Sequence, residues 1–191
     1  MGKLIFATNN KHKVDEVQHL LGSTCDVCSV GDLNFNEDIP ENQTTLEGNA
    51  REKAWFIYRK FGFPCFADDT GLEIEALDGE PGVYSARYAG EEKSSLKNIQ
   101  KVLEKMSDID NRRARFRCVI ALIIDEKEYL FEGIINGQIL RSPVGDFGFG
   151  YDSIFKADGY DVSFAQMTLD DKSEISHRGE AIKKLVEFLK K

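Results

Sequence analysis

The chain has 191 residues and carries 33 acidic against 25 basic side chains, a formal charge of −8 at pH 7. Non-specific nucleic-acid binding rests on a net basic surface, so the acidic balance argues against that role, and a composition 41% hydrophobic and 10% aromatic excludes a disordered chain. The length predicts one domain, or two small lobes around one core.

The opening Met-Gly-Lys-Leu-Ile-Phe-Ala-Thr is too short an apolar run for a signal peptide, and no stretch approaches the ~18 apolar residues of a membrane span. A cytoplasmic protein without membrane contact is expected. Cys25, Cys28, Cys65 and Cys118 are too few for a disulfide framework and suit a reducing compartment. The Cys25-x-x-Cys28 pair has no second pair or His cluster beside it, which favours two half-buried strand cysteines over a metal or redox site.

Residues 3–8 read as a short buried strand, and 13–21 as a helix with Val14, Val17, Leu20 and Leu21 on one face, closed by Gly22. The helical period returns over 44–61 through Leu46, Ala50, Ala54, Ile57 and Phe61, with Thr44 or Thr45 as cap and Gly62 and Pro64 as the break. Residues 65–68 and 72–77 read as two strands joined by a polar turn, Asp68-Asp69-Thr70-Gly71, and Pro81 introduces a strand-like aromatic run over 82–88. A helix follows over 94–106, then an antiparallel hairpin of strands 115–124 and 128–135. A glycine-rich aromatic loop at 145–150 precedes a last helix from about 178 to 190. This mixture predicts an α/β fold with a mixed sheet and flanking helices.

Four segments carry residues suited to chemistry. Thr8-Asn9-Asn10-Lys11-His12-Lys13 lies where a strand hands over to a helix, and its donors suit phosphate oxygens; without a Walker spacing it reads equally as a turn and cap. Asp68 and Asp69 offer one carboxylate for a hard cation such as Mg²⁺ and one to fix the turn or take a proton from water, against the plain reading of a turn. Before the last helix, Lys172, His177 and Arg178 could meet phosphate or a base, with Ser176 as helix cap rather than nucleophile. In residues 145–152 the glycines permit close approach of a ligand, and Phe149 and Tyr151 either stack on a flat base or pack into the core. Tyr84 and Arg87 suit an interface or packing within the monomer.

In this order, Thr8-x-Asn10-x-x-Lys13, Ala67-Asp68-Asp69-Thr70-Gly71-Leu72, Pro81-Gly82-Val83-Tyr84-Ser85-Ala86-Arg87-Tyr88, Phe149-Gly150-Tyr151-Asp152 and Ser176-His177-Arg178 resemble the motifs of the inosine triphosphate pyrophosphatase family. The resemblance covers nearly the whole chain. It implies that residues 1–191 form one catalytic domain, an elongated fold of two lobes with a central cleft, assembled as a homodimer. The implied reaction is Mg²⁺-dependent hydrolysis of non-standard purine triphosphates such as ITP, dITP and XTP to the monophosphate and pyrophosphate. The implied proton acceptor and metal ligand is Asp69. Implied substrate contacts are Thr8, Asn9, Asn10, Lys11, His12, Lys13, Thr70, Phe149, Gly150, Tyr151, Asp152, Lys172, His177 and Arg178.

One position departs from the family. Its metal-binding Glu before Asn-Ala is replaced here by Gly48, and Glu47 stands one residue earlier, about 100° round a helix. Either Glu47 still reaches the metal, or Asp68 and Asp69 carry more of it. Two rival functions remain: a general nucleotide phosphatase releasing orthophosphate, and a non-catalytic nucleotide- or RNA-binding module using the arginines of residues 112–117.

Overall fold

A computed structural model describes residues 4–21, 27–35 and 37–190. Its strands are β1 (Leu4–Phe6), β2 (Val27–Ser29), β3 (Cys65–Ile74), β4 (Arg113–Ile124), β5 (Lys127–Ile139) and β6 (Phe155–Ala157). Its α-helices are α1 (Lys11–Leu21), α2 (Leu46–Phe61), α3 (Ser95–Lys105), α4 (Leu169–Ile175) and α5 (His177–Leu189). The strands form one mixed sheet in the order β2-β1-β3-β4-β5-β6. Strand β1 runs parallel to both β2 and β3, whereas β5 and β6 are antiparallel. A two-residue turn joins β4 to β5, with Asp125 and Glu126 both at positive φ, the connection that antiparallel neighbours use. The α/β fold with a mixed sheet is as the sequence predicts.

The chain divides into two compact units. The first takes the chain as far as Asp69, then Cys118–Gly133, and everything from Arg178 onward. Its core joins Leu4, Phe6, Val17, Leu21, Phe66, Ile120, Leu122, Ile182 and Leu185, so the predicted apolar faces of the first and last helices meet strands here. Phe6 and Phe66 are register partners on β1 and β3, and their rings stack at 4.5 Å. The second unit, Thr70–Arg117 and Ile134–His177, has its own core of Leu72, Ile74, Val102, Met106, Phe116, Tyr151, Phe155 and Phe164. Burying a large apolar side chain is worth ~1.5–3 kcal/mol, so each unit has a substantial driving force of its own.

Two predicted elements change, and one helix appears that the sequence reading did not include. Residues 68–71 are not a turn: β3 runs unbroken from Cys65 to Ile74. The backbone there passes so close to residue 82 that a Cβ at Gly71 would lie 2.6 Å from the Gly82 carbonyl oxygen, so the glycine serves packing rather than a reversal. The aromatic run after Pro81 is a 3₁₀ helix, Gly82–Arg87, instead of a strand. Ser85 ties it to β3, its hydroxyl accepting from the Leu72 N–H at 2.9 Å and donating to the Gly82 carbonyl at 2.6 Å. Helix α4 was not predicted, because its seven residues include only two large apolar ones, Leu169 and Ile175. Lys3, Gly22 and Cys25 lie outside the described residues, while Cys28, Cys65 and Cys118 are buried and in no disulfide.

Candidate active site

The first unit holds the predicted phosphate loop and both aspartates. Thr8 to Asn10 lead out of β1 into α1, and their side chains shape the helix start. The Thr8 hydroxyl accepts from the Asn10 N–H at 3.2 Å and the Asn10 carbonyl oxygen Oδ1 from the Lys13 N–H at 3.4 Å. Asn9, Asn10, Lys11 and His12 are exposed, Thr8 and Lys13 half-buried. An exposed helix N-terminus with lysines in its first turn is a favourable setting for an anion.

Asp68 and Asp69 are consecutive on β3, so the pleat sends them to opposite sides. Asp68 is buried and meets cations on both oxygens. Lys13 Nζ donates to Oδ1 at 2.9 Å, and Arg178 donates to Oδ2 from Nε and Nη2, each at 3.3 Å. Burial by itself would raise the Asp68 pKa, but Lys13, Arg178 and Lys53 hold it well below the ordinary carboxylate range. Arg178 is buried as well and pairs through Nη1 with Glu16.

Asp69 has different company. Asn49 Nδ2 donates to its Oδ2 at 3.0 Å, and Lys53 Nζ lies 3.4 Å from its Oδ1. Burial raises the Asp69 pKa, and the pull of Lys53 and Lys13 offsets this only in part. Lys53 also donates to Glu41 Oε1 at 2.7 Å, so one buried ammonium serves two carboxylates. It stays charged: burial disfavours the ammonium, but Asp69, Glu41 and Asp68 raise its pKa above the usual value.

Asn49, Lys53 and Glu41 are functional candidates absent from the sequence prediction. A signal existed for the first two. They stand four residues apart on α2 and are buried among Leu46, Ala50, Ala54 and Ile57, where a polar pair needs a partner. Nothing in the sequence singles out Glu41. Thr45 caps α2 by accepting from the Gly48 N–H at 3.0 Å. At Gly48, where the family has Glu, a Cβ would lie 2.7 Å from the Gln43 Cβ. Gln43 therefore lies against the helix start and leaves no room for a side chain at residue 48 unless it shifts. Glu47 is half-buried in that first turn.

A hard divalent cation fits this donor set. Mg²⁺ accepts oxygen ligands, commonly one or two carboxylates completed by water and substrate phosphate. Asp69 and Glu41 supply two carboxylates around one ammonium. Among the described residues no group of three or more His, Cys, Asp or Glu side chains could hold a metal, so a full protein cage is not formed there.

The second unit holds the other predicted contacts. Asp152 is buried, and its Oδ2 accepts from Lys172 Nζ at 2.7 Å and from the Phe149 N–H at 2.8 Å. Lys172 Nζ also lies 4.9 Å from the Phe149 ring centroid, a cation–π distance. Gly148 adopts φ +75°, and a Cβ there would lie 2.2 Å from Asp152 Oδ2, so the loop requires glycine. Gly150 is half-buried, and the Tyr151 hydroxyl donates to the Ser85 carbonyl at 2.8 Å, which places Tyr151 in the core. The buried His177 ring stacks on Phe116, centroids 4.7 Å apart and planes 14° from parallel. Thr70 follows Asp69 on β3, half-buried. On β4, Arg115 and Arg117 both pair with Glu73.

A dITP/XTP pyrophosphatase of Porphyromonas gingivalis is 50% identical over 190 residues, 99% of this chain and 98% of that protein. One of Flavobacterium psychrophilum is 48% identical over 188 residues, 98% of this chain and 99% of that protein. The structure of a HAM1 protein from Coxiella burnetii superimposes with a TM-score of 0.91 at 37% identity, covering 100% of this chain and 99% of the other. The model of the Ham1 family matches residues 4–188, and with both sequence and fold in agreement over that span, this chain belongs to the Ham1 family.

Proposed function

We propose that the protein is a nucleoside triphosphate pyrophosphatase that hydrolyses non-standard purine nucleotides, ITP, dITP and XTP, and so cleanses the nucleotide pool. The observation that carries this reading is the unequal pair on β3: Asp68 held anionic by Lys13 and Arg178, and Asp69 buried with a raised pKa beside Lys53. A carboxylate raised toward neutrality is the better proton acceptor. In the proposed reaction Asp69 takes a proton from water as its oxygen bonds to the α-phosphorus. The bond from that phosphorus to the bridging oxygen breaks, and pyrophosphate leaves with the electron pair.

The loop of residues 8–13 binds the phosphates through its N–H groups and Lys13. Asp69 and Glu41 would hold Mg²⁺, which when bound supplies positive charge to the phosphates. Lys53 offers one ammonium to both carboxylates, and Asn49 fixes the orientation of Asp69. Lys172, Phe149 and His177 are read as substrate contacts from the family resemblance alone. A cytoplasmic homodimer belongs to the same reading, supported by the family resemblance. Among the described residues no helix is long and apolar enough to cross a membrane.

The test is product identification with ITP, dITP, XTP, ATP and GTP in the presence of Mg²⁺. One pyrophosphate per ITP, with ATP and GTP poor substrates, is expected. Orthophosphate alone, or equal rates on all five, would overturn the proposal.

A further inference from the structure

We infer that Glu16 is a positioning residue, acting through Arg178 and Asp68 to aim the Lys13 ammonium at substrate phosphate. Four side chains form a line of alternating charge: Glu16, Arg178, Asp68, Lys13. The side chains of Arg178 and Asp68 are 2% and 1% exposed and that of Glu16 9%, whereas Lys13 is 14% exposed, so Lys13 is the end that reaches a ligand. Lys13 and Glu16 stand three residues apart on α1, hence on one face of it. The two middle members, Asp68 and Arg178, come from β3 and α5 and bridge them.

The spacing within the line shows what Glu16 does. Arg178 reaches Asp68 Oδ2 only at 3.3 Å, longer than the ~2.7–2.9 Å of a strong charge-assisted bond, while its third nitrogen is committed to Glu16. Lys13 holds the other oxygen of Asp68 at 2.9 Å. Glu16 therefore draws the guanidinium off Asp68 and leaves that carboxylate turned toward Lys13. Without it Arg178 closes on Asp68, the carboxylate turns with it, and the ammonium loses its fixed position.

This inference rests on the reading that Lys13 binds phosphate, and its test separates the two. Binding of inorganic tripolyphosphate, measured calorimetrically, needs no turnover. Glu16→Gln should weaken that binding, and raise KM for ITP, by about tenfold, the worth of one charge-assisted bond, with kcat changed less than about threefold. Glu16→Asp, which keeps the charge on a shorter stem, should fall between. In a Lys13→Met background Glu16→Gln should change neither quantity further, because a residue acting through Lys13 has nothing left to act on. If Glu16→Gln does not fold, Glu16→Asp carries the same cycle. Additive effects in the cycle overturn the inference, and so does tighter binding by Glu16→Gln, the result expected from merely removing a negative charge. A protein that shows the cycle but releases no pyrophosphate from ITP refutes the proposed activity and leaves the role of Glu16 standing.

Discussion

Replacing Asp68 by Asn removes the one charge that Lys13 and Arg178 share and leaves both cations in place. The lost contacts are one at 2.9 Å and two at 3.3 Å, all made by a side chain only 1% exposed. At an effective dielectric of about 20 each charge pair at such distances is worth about 5 kcal/mol, most of which offsets the desolvation of the ions. Breaking a buried pair from one side exposes that uncompensated desolvation, so Asp68→Asn should cost about 3–5 kcal/mol at pH 7. The effect has a pH signature. The folded pKa of Asp68 lies well below the ordinary 3.8 of an aspartate, so its stabilisation is complete above that value and is lost as pH falls toward the folded pKa. About 1 kcal/mol of the difference between wild type and variant should be gone at pH 3. Urea unfolding followed by the fluorescence of the single tryptophan, Trp55, at several pH values measures both. A cost under about 1 kcal/mol at pH 7, or a difference independent of pH, would refute the view of Asp68 as a charge clamp.

Asp69→Asn should lower kcat for pyrophosphate release by about 10²–10⁴-fold. Its folded pKa is raised, so the ionised side chain weakens the fold at neutral pH, and the variant should melt no earlier than wild type at pH 7 in calorimetry. For the same reason kcat should fall on acidification through an apparent pKa above 3.8; a limb at or below that value removes Asp69 as the base. Gly48→Glu, which restores the family residue, should destabilise by about 1–3 kcal/mol through the clash with Gln43, and Gln43→Gly in the same chain should recover most of it in urea titrations. Gly71→Ala meets backbone rather than a side chain, so its melting temperature should drop with no rescue from Ser85→Ala.

Helices whose apolar residues recur every three or four positions were legible: α2 and α3 lie within two residues of their expected bounds, since tertiary packing follows the same stripe. The strand β3 was not read whole. Asp-Asp-Thr-Gly has the composition of a turn, and pairing of the preceding residues with β1, invisible to local pattern, carries the chain through it. The run after Pro81 shows the reverse, aromatic residues suggesting a strand where a serine hydroxyl holds a 3₁₀ helix. In the candidate site, motif resemblance pointed to the loop at 8–13 and to Asp69. Lys53 and Glu41 were missed because their significance lies in contacts that only the fold creates: Lys53 meets Glu41 and Asp69 at once.

The adjacency of Asp68 and Asp69 gives the chemistry a dependence on counting. Which of two identical side chains becomes the clamp and which the base is decided by odd or even position along one strand, and that parity is locked by the pairing of Phe6 with Phe66. A one-residue slip in β3 that brought Asp69 to Lys13 and Arg178 would set Thr70 in the place beside Lys53, so the clamp would survive and the base would be lost. Single-residue insertions or deletions between Phe66 and Asp68 should therefore abolish turnover far more completely than any conservative replacement at those positions.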